Sequence, residues 1–159
     1  MLKLFRLYVP ELRFWKIKKK NKKEKQRIEI ENKNKNRRKA KEKYNDNRIE
    51  FICDDIHNIK DRKFDYVIIY NAFPHFLNPD KFIAHVHTLL RENGKFLICH
   101  DMGRDQLNNH HNNKKKVSDI SLGLKETAEV GWMLVNSFFV DKMVDEDDIY
   151  IIYSIKKEK

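Results

Sequence analysis

The strongest secondary-structure signal in this chain is the run Phe64-Asp-Tyr-Val-Ile-Ile-Tyr70, in which β-branched and aromatic residues are nearly continuous. Such a run is typical of a parallel strand buried on both faces. Asn78-Pro79 then supplies a helix N-cap and an N1 proline, followed by apolar side chains at helical spacing as far as Leu90. Lys95-Phe-Leu-Ile-Cys-His100 repeats the buried-strand pattern. The centre of the chain therefore predicts a strand–helix–strand unit.

Further elements extend this unit in both directions. Arg48-Ile-Glu-Phe-Ile-Cys53 alternates and then turns apolar, as a strand does. Asn93-Gly94 is expected to end the central helix, and residues 121–130 form a weaker helical pattern. Strands that alternate with helices favour a parallel sheet with right-handed crossovers. The fold class predicted is therefore α/β.

The end of the chain predicts a different pairing. Residues 133–144 and 149–155 are interpreted as two strands, joined by the short acidic link Asp145-Glu-Asp-Asp148. Strands joined by so short a link are antiparallel. We expect this C-terminal antiparallel hairpin to form an edge pair of a mostly parallel sheet, with Trp132 packed at its start. An exposed edge invites pairing with another copy, so the protein is expected to be a monomer or a homodimer.

Charge is concentrated in one segment. Residues 13–43 hold 16 Lys and Arg against four Glu, whereas the rest of the chain holds 18 basic and 20 acidic side chains. A basic arm of this kind can bind nucleic acid through its phosphates, although the arm is rich in Lys and Asn and poor in aromatic residues, which also suits a solvated segment. No apolar run has the length of a membrane span, and no membrane partner is predicted.

The two cysteines indicate a reducing compartment. Cys53 and Cys99 lie in separate apolar runs and form neither a C-x-x-C motif nor a disulfide framework. Two buried strand thiols and no signal-peptide pattern at the start of the chain predict a cytoplasmic location.

Polar residues follow each central strand, where open α/β sheets bind their ligands. Asp54-Asp55-Ile56 follows the strand ending at Cys53, and Asn71-Ala72-Phe73 follows the strand ending at Tyr70. The next strand is followed by a loop that contains Asp101 and Arg104. We therefore expect a ligand crevice at this edge of the sheet.

Four stretches in order resemble class I S-adenosylmethionine-dependent methyltransferases, which have a Rossmann-like sheet. Phe51-Ile-Cys-Asp-Asp-Ile56 resembles the strand whose terminal acid meets the adenine, and residues 64–73 resemble the fourth strand with the loop beneath the methyl donor. Residues 89–98 resemble the turn into strand five, and residues 148–156 resemble the last strand. The resemblance covers about 110 residues.

The resemblance implies S-adenosylmethionine as the cofactor and assigns roles to five residues. Asp55 would accept a hydrogen bond from the adenine amino group, and the backbone of Ile56 would pair with the ring edge. Asn71, Ala72 and Phe73 would line the site where the methyl donor meets its acceptor. Alternatively, Asp55 is an ordinary turn residue at a strand end.

The N-terminal part of the chain departs from that family. Its first strand should lead into a Gly-rich loop that approaches the cofactor, yet none of the four glycines lies in the first 93 residues. Residues 2–9 are proposed as the first strand, and Glu31 as the acid for the ribose hydroxyls. Glu31 also suits an ordinary charged helix. We predict a truncated or degenerate N-terminal segment, residues 1–45, before a methyltransferase-like domain, residues 46–159.

The loops supply three candidates for acceptor contact or proton transfer, namely His75, Arg104 and His110. Adjacent histidines such as His110 and His111 rarely point at one ion, so no metal site is predicted. Methyl transfer from an activated sulfonium depends mainly on positioning, so the resemblance implies neither a catalytic triad nor a metal.

Two functions from different classes follow from these patterns. The first is a class I methyltransferase with an unidentified methyl acceptor. The second is a non-catalytic scaffold of the same fold, whose basic arm binds nucleic acid or an acidic partner. Only the second predicts nucleic-acid binding that weakens steeply with salt and disappears when residues 13–43 are deleted.

Overall fold

The structure, a computed structural model, describes residues 4–8, 42, 52, 55–112 and 122–158, with the backbone alone for residues 4–8, 111 and 112. The chain divides into two compact units, one formed by Met1–Glu11 with Lys60–Lys159 and the other by Leu12–Ile59. Three sequence predictions fall outside the described residues: the role of Glu31, the basic arm apart from Glu42, and the strand at residues 48–53 apart from Ile52.

The first unit contains a five-stranded sheet in the order β1-β2-β3-β5-β4. The strands are β1 (Leu4–Tyr8), β2 (Phe64–Tyr70), β3 (Leu90–His100), β4 (Phe138–Glu146) and β5 (Ile149–Lys156). β1, β2 and β3 pair in parallel, whereas β5 is antiparallel to both of its neighbours, β3 and β4. The predicted fold class, including a first strand near the N-terminus and a C-terminal hairpin, is confirmed. The hairpin forms the predicted antiparallel edge pair, with β5 next to β3 and β4 outermost.

Among the described residues of the first unit, three helices accompany the sheet: α1 (Pro79–Leu89), α2 (Arg104–Asn112) and α3 (Thr127–Leu134). α1 begins as the sequence predicts, since the side chain of Asn78 accepts a hydrogen bond from the backbone N–H of Lys81 at 3.0 Å. Its apolar stripe is buried, consisting of Phe82, Ile83, Val86 and Leu89. Among the described helices, none is long and apolar enough to cross a membrane.

The end of α1 differs from the prediction. The helix ends at Leu89 and β3 begins at Leu90, so Asn93-Gly94 lies inside the strand. Leu90 pairs with Phe64 and Lys95 pairs with Tyr66, which leaves residues 91–94 as a bulge with Asn93 at a φ of 56°. Lysines bind the last carbonyls of the helix instead, because Lys156 Nζ donates to the carbonyl of His87 at 2.9 Å and Lys63 Nζ to that of Thr88 at 2.6 Å.

The prediction for the region before β4 is wrong. Gly131 and Trp132 lie inside α3, which runs four residues beyond the predicted end, and the strand begins at Phe138 and not at residue 133. Trp132 is 75% exposed and does not pack at the start of β4. A Cβ on Gly131 would lie 3.1 Å from Met143 Sδ, so this glycine permits close packing of α3 on β4.

The core lies on one face of the sheet. Alternate residues of the central strands are buried, including Val67 and Ile69 of β2, Phe96 and Ile98 of β3, and Ile152 of β5. The residues between them are half-buried. β2 was predicted to be buried on both faces, but it is fully buried on one face only.

Gly103 gives the first testable prediction. A Cβ at this position would overlap the carbonyl oxygen of Glu146 and lie 2.8 Å from its carbonyl carbon. Because backbone atoms cannot yield as a flexible side chain does, we expect Gly103→Ala to lower the free energy of unfolding by about 1–3 kcal/mol, measured by urea denaturation. Gly131→Ala is the matched control, since its Cβ meets only a flexible Met143 and helix propensity favours alanine. Equal stability of the two variants would contradict this account.

Candidate functional site

Two strands of the first unit end side by side at the predicted ligand edge. β2 ends at Tyr70, which is in register with Cys99 of β3, so Asn71 and Asp101 leave the sheet at the same level. β1 ends beside them, because Tyr8 pairs with Tyr70. The parallel pairing therefore brings together the carboxyl ends of three strands, as sheets with ligand crevices require.

Asn71 turns the chain sharply at the end of β2. Its φ is 51°, in the left-handed region that asparagine tolerates better than most residues. Its backbone N–H donates to the carbonyl of Cys99 at 3.0 Å. The side-chain amide donates to Asp101 Oδ1 at 2.7 Å, and its oxygen accepts from the backbone N–H of Asp101 at 3.1 Å. These bonds direct the Asn71 side chain towards β3.

Residues 71–76, called the β2 loop below, are anchored on α1. Ala72, Phe73 and Pro74 are buried, and residues 73–75 form one turn of 3-10 helix. Phe76 stacks on the buried Phe82 of α1 with ring centroids 3.7 Å apart, and Phe73 meets the same ring edge-on at 6.3 Å. The position of the β2 loop therefore depends on the aromatic core beneath it.

Acidic side chains surround Arg104 at the start of α2. Its Nε donates to Asp145 Oδ2 at 3.2 Å, and its guanidinium also lies 3.1 Å from Asp105 and 3.9 Å from Glu126. The hydrogen bond to Asp145, reinforced by the nearby carboxylates, raises the pKa of Arg104. The arginine therefore stays charged, with its donors directed at three acids of its own unit.

A segment before α3 crosses the same edge. The backbone N–H of Leu122 donates to the carbonyl of Pro74 at 3.0 Å, which joins this segment to the β2 loop. Asn108 of α2 holds it from the other side, accepting from Leu124 N at 2.7 Å and donating to Leu124 O at 2.9 Å. The hydroxyl of Tyr150 donates to the carbonyl of Lys125 at 3.1 Å, and burial raises the pKa of this tyrosine.

Asp55 and Ile56 belong to the second unit. Asp55 precedes a short 3-10 helix (Ile56–Asn58) and its Oδ1 accepts from the backbone N–H of His57 at 2.9 Å. The Nδ1 of His57 lies 2.8 Å from the same oxygen. The side chain of Asp55 is 64% exposed, while Ile56 is buried. Asp55 therefore presents a solvent-accessible carboxylate, as an acid that receives an amino group must.

The three candidates for acceptor contact occupy different positions. His75 is half-buried at the end of the β2 loop helix, and His110 is exposed near the end of α2. Arg104 and His110 are six residues apart on one helix, about 9 Å along its axis, so the structure does not bring these two together. The roles of all three stay predictions.

The sequence analysis did not assign roles to two residues that organise this edge. Asp101 receives hydrogen bonds from Tyr70 and Asn71, and Asn108 binds both backbone groups of Leu124. Asp101 directly follows a predicted strand, so the rule that selected Asn71 would also select it. Asn108 carries no such signal. Its partner, Leu124, is 16 residues away, in a segment without a clear pattern of apolar and polar residues.

Comparison with known proteins identifies a family and a fold. A family model described as "Methyltransferase domain" matches residues 15–98, which is more than half of the chain. No curated protein matches the sequence.

Several solved structures share the fold. A Listeria monocytogenes protein assigned as an S-adenosylmethionine dependent methyltransferase has a TM-score of 0.57 and 12% identity, over 75% of this chain and 74% of that one. A Haloferax volcanii protein, solved with the Trm112 methyltransferase activator, has a TM-score of 0.61 and 10% identity, over 75% and 66%. The N-methyltransferase NodS from Bradyrhizobium japonicum WM9, solved with S-adenosyl-L-homocysteine, has a TM-score of 0.54 and 10% identity, over 76% and 59%. At these identities the likeness establishes the architecture.

Proposed function

This chain belongs to the methyltransferase-domain family, and from that premise we propose that it is a class I S-adenosylmethionine-dependent methyltransferase. The observation that carries the proposal is the family match over residues 15–98. The convergence of three strand ends and the β2 loop at one edge of the sheet supports it, because a ligand of such sheets binds there.

The proposal assigns S-adenosylmethionine to six residues. The exposed carboxylate of Asp55 suits the adenine amino group, with the Ile56 backbone at the ring edge. Asn71, Ala72 and Phe73 form the sharply turned loop at the end of β2 and are proposed to line the methyl-transfer site. The side chains of Ala72 and Phe73 are buried in the core, so these two residues would contribute through their backbone. Glu31 is proposed for the ribose hydroxyls.

The proposed reaction requires little acid–base catalysis from the protein. When bound, the cofactor supplies a methyl group already activated by its sulfonium, so orientation of the acceptor provides most of the rate. The buried β2 loop would exclude water from one side of the reacting groups. His75 and His110 are proposed to contact the acceptor or to remove its proton, and Arg104, which stays charged, to contact the acceptor.

Titration calorimetry with S-adenosylhomocysteine tests the proposal. We expect micromolar affinity, even though no glycine lies in the first 93 residues, because the other contacts remain. NAD is the control ligand, since related α/β sheets bind dinucleotides at the same edge, and it should give no heat. Absence of heat with S-adenosylhomocysteine at millimolar concentration would overturn the proposed function.

The proposal also covers the methyl acceptor, the partners, the cellular location and the oligomeric state. The acceptor is unidentified, and nucleic acid is a candidate partner through residues 13–43. A cytoplasmic location is proposed because Cys53 and Cys99 form no C-x-x-C motif and no disulfide framework in the sequence, and the oligomeric state is proposed as monomer or homodimer.

A further inference from the structure

We propose that Asp101 is a positioning residue for the cofactor, acting through Asn71 of the β2 loop. The inference rests on the proposed function, because it assigns to Asp101 the task of fixing the loop that would line the methyl-transfer site. Asp101 lies on β3's side of the crevice, one residue beyond the strand.

Asp101 makes three hydrogen bonds with Tyr70 and Asn71. Its Oδ1 accepts from Asn71 Nδ2 at 2.7 Å, and its Oδ2 accepts from the hydroxyl of Tyr70 at 3.1 Å. Its backbone N–H donates to Asn71 Oδ1 at 3.1 Å. Asn71 and Asp101 thus exchange two hydrogen bonds, which fixes the orientation of both side chains.

Asn71 gains from such support because its φ of 51° lies in the left-handed region, which is unfavourable for residues with a Cβ although asparagine tolerates it better than most. The left-handed turn determines the direction in which Ala72 and Phe73 leave the sheet. If the side chain of Asn71 were released, the peptide that joins it to Ala72 could relax towards ordinary backbone angles. Residues 72 and 73 would then move relative to the ends of β2 and β3.

The exposure of Asp101 separates positioning from overall stability. Asp101 is exposed, so its hydrogen bonds compete with water and contribute little to the free energy of unfolding. The geometry of the β2 loop depends on these hydrogen bonds more directly, because a shift of about 1 Å in a binding group is enough to lower the affinity for a ligand. Loss of Asp101 should therefore lower the affinity for the cofactor and leave the melting temperature close to that of the wild type.

Exchange of the two side chains provides a sharp test. In Asp101→Ala, Asn71 Nδ2 and the hydroxyl of Tyr70 both lose their acceptor. In Asn71→Asp, two carboxylates face each other. The double variant Asn71→Asp/Asp101→Asn restores all three hydrogen bonds and keeps the net charge of the wild type.

Affinity for S-adenosylhomocysteine is the main measurement, with amide hydrogen exchange of residues 71–76 and the melting temperature alongside. We expect each single variant to bind about tenfold more weakly and to exchange faster in the loop, with a melting temperature close to that of the wild type. The double variant should return to within about threefold of the wild-type affinity. Tyr70→Phe, which removes one hydrogen bond without touching the backbone, should show a smaller loss and covers the case in which a single variant fails to fold.

The outcomes distinguish this inference from the proposed function. Unchanged affinity in Asp101→Ala, or a double variant as weak as Asn71→Asp, would overturn the positioning role while leaving the methyltransferase proposal intact. A wild-type protein that binds no S-adenosylhomocysteine would overturn both. If the single variants bound more weakly and also melted at a clearly lower temperature than the wild type, the contact would be merely structural. That result would also overturn the positioning role.

Discussion

Phe82→Ala is expected to lower the free energy of unfolding by about 3–5 kcal/mol, the range for truncating a fully buried aromatic side chain. Phe82 is fully buried on α1, and three aromatic rings contact it: Phe73, Phe76 and Phe96. Removal of the ring takes away buried apolar surface and leaves a cavity between the helix and the sheet. Domains of this size have only about 5–15 kcal/mol of stability, so the melting temperature should fall by on the order of 10 °C.

Urea denaturation followed by circular dichroism measures this effect. Leu77→Ala is the matched control, because it also truncates a large apolar side chain close to the β2 loop but at a site that is 73% exposed. It should change the free energy of unfolding by less than about 0.5 kcal/mol. Similar losses in the two variants would show that the stacked rings do not support the loop.

Asp55→Ser is expected to weaken binding of S-adenosylhomocysteine by about 10- to 100-fold, the usual value of a hydrogen bond to a charged group. Serine is too short to reach a ligand from this position, yet it is as good an N-cap as aspartate. The 3-10 helix at Ile56–Asn58 should therefore keep its cap, which Asp55 now provides through the N–H of His57. Calorimetric titration of the two proteins gives the ratio of dissociation constants.

His57→Ala is the control for this prediction. It removes the imidazole that lies 2.8 Å from Asp55 Oδ1 but retains the carboxylate, so affinity should stay within about threefold of the wild type. If Asp55→Ser bound the ligand as tightly as the wild type, Asp55 would be a capping residue alone, which is the alternative that its position at a strand end already suggested.

The central strand–helix–strand unit was predictable because its signals are local. Asn78 and Pro79 specify the start of α1, and its buried stripe follows from a 3.6-residue period. The β-branched run at residues 64–70 can hardly form any other element. The position of Asn71 at a strand end could be read in the same way, as could its tolerance of a positive φ.

The errors occurred where a distant contact overrides a local signal. The helical pattern was expected to end at residue 130, but α3 continues through Gly131, whose missing side chain admits Met143 of β4. Asn93-Gly94 was expected to stop α1, but it forms a bulge in β3 against β2. In both cases the partner lies in another strand, so no window of sequence around the glycine contains the information.

The sequence by itself determined the α/β class, the order of most elements and the family, because hydrophobic period and turn residues act over a few positions. Only the tertiary structure decided that β5 enters between β3 and β4, and that Asp101 binds Asn71 across 30 residues of chain. Pairing of strands and side chains across the sheet depends on register, and register depends on all of the neighbouring elements at once.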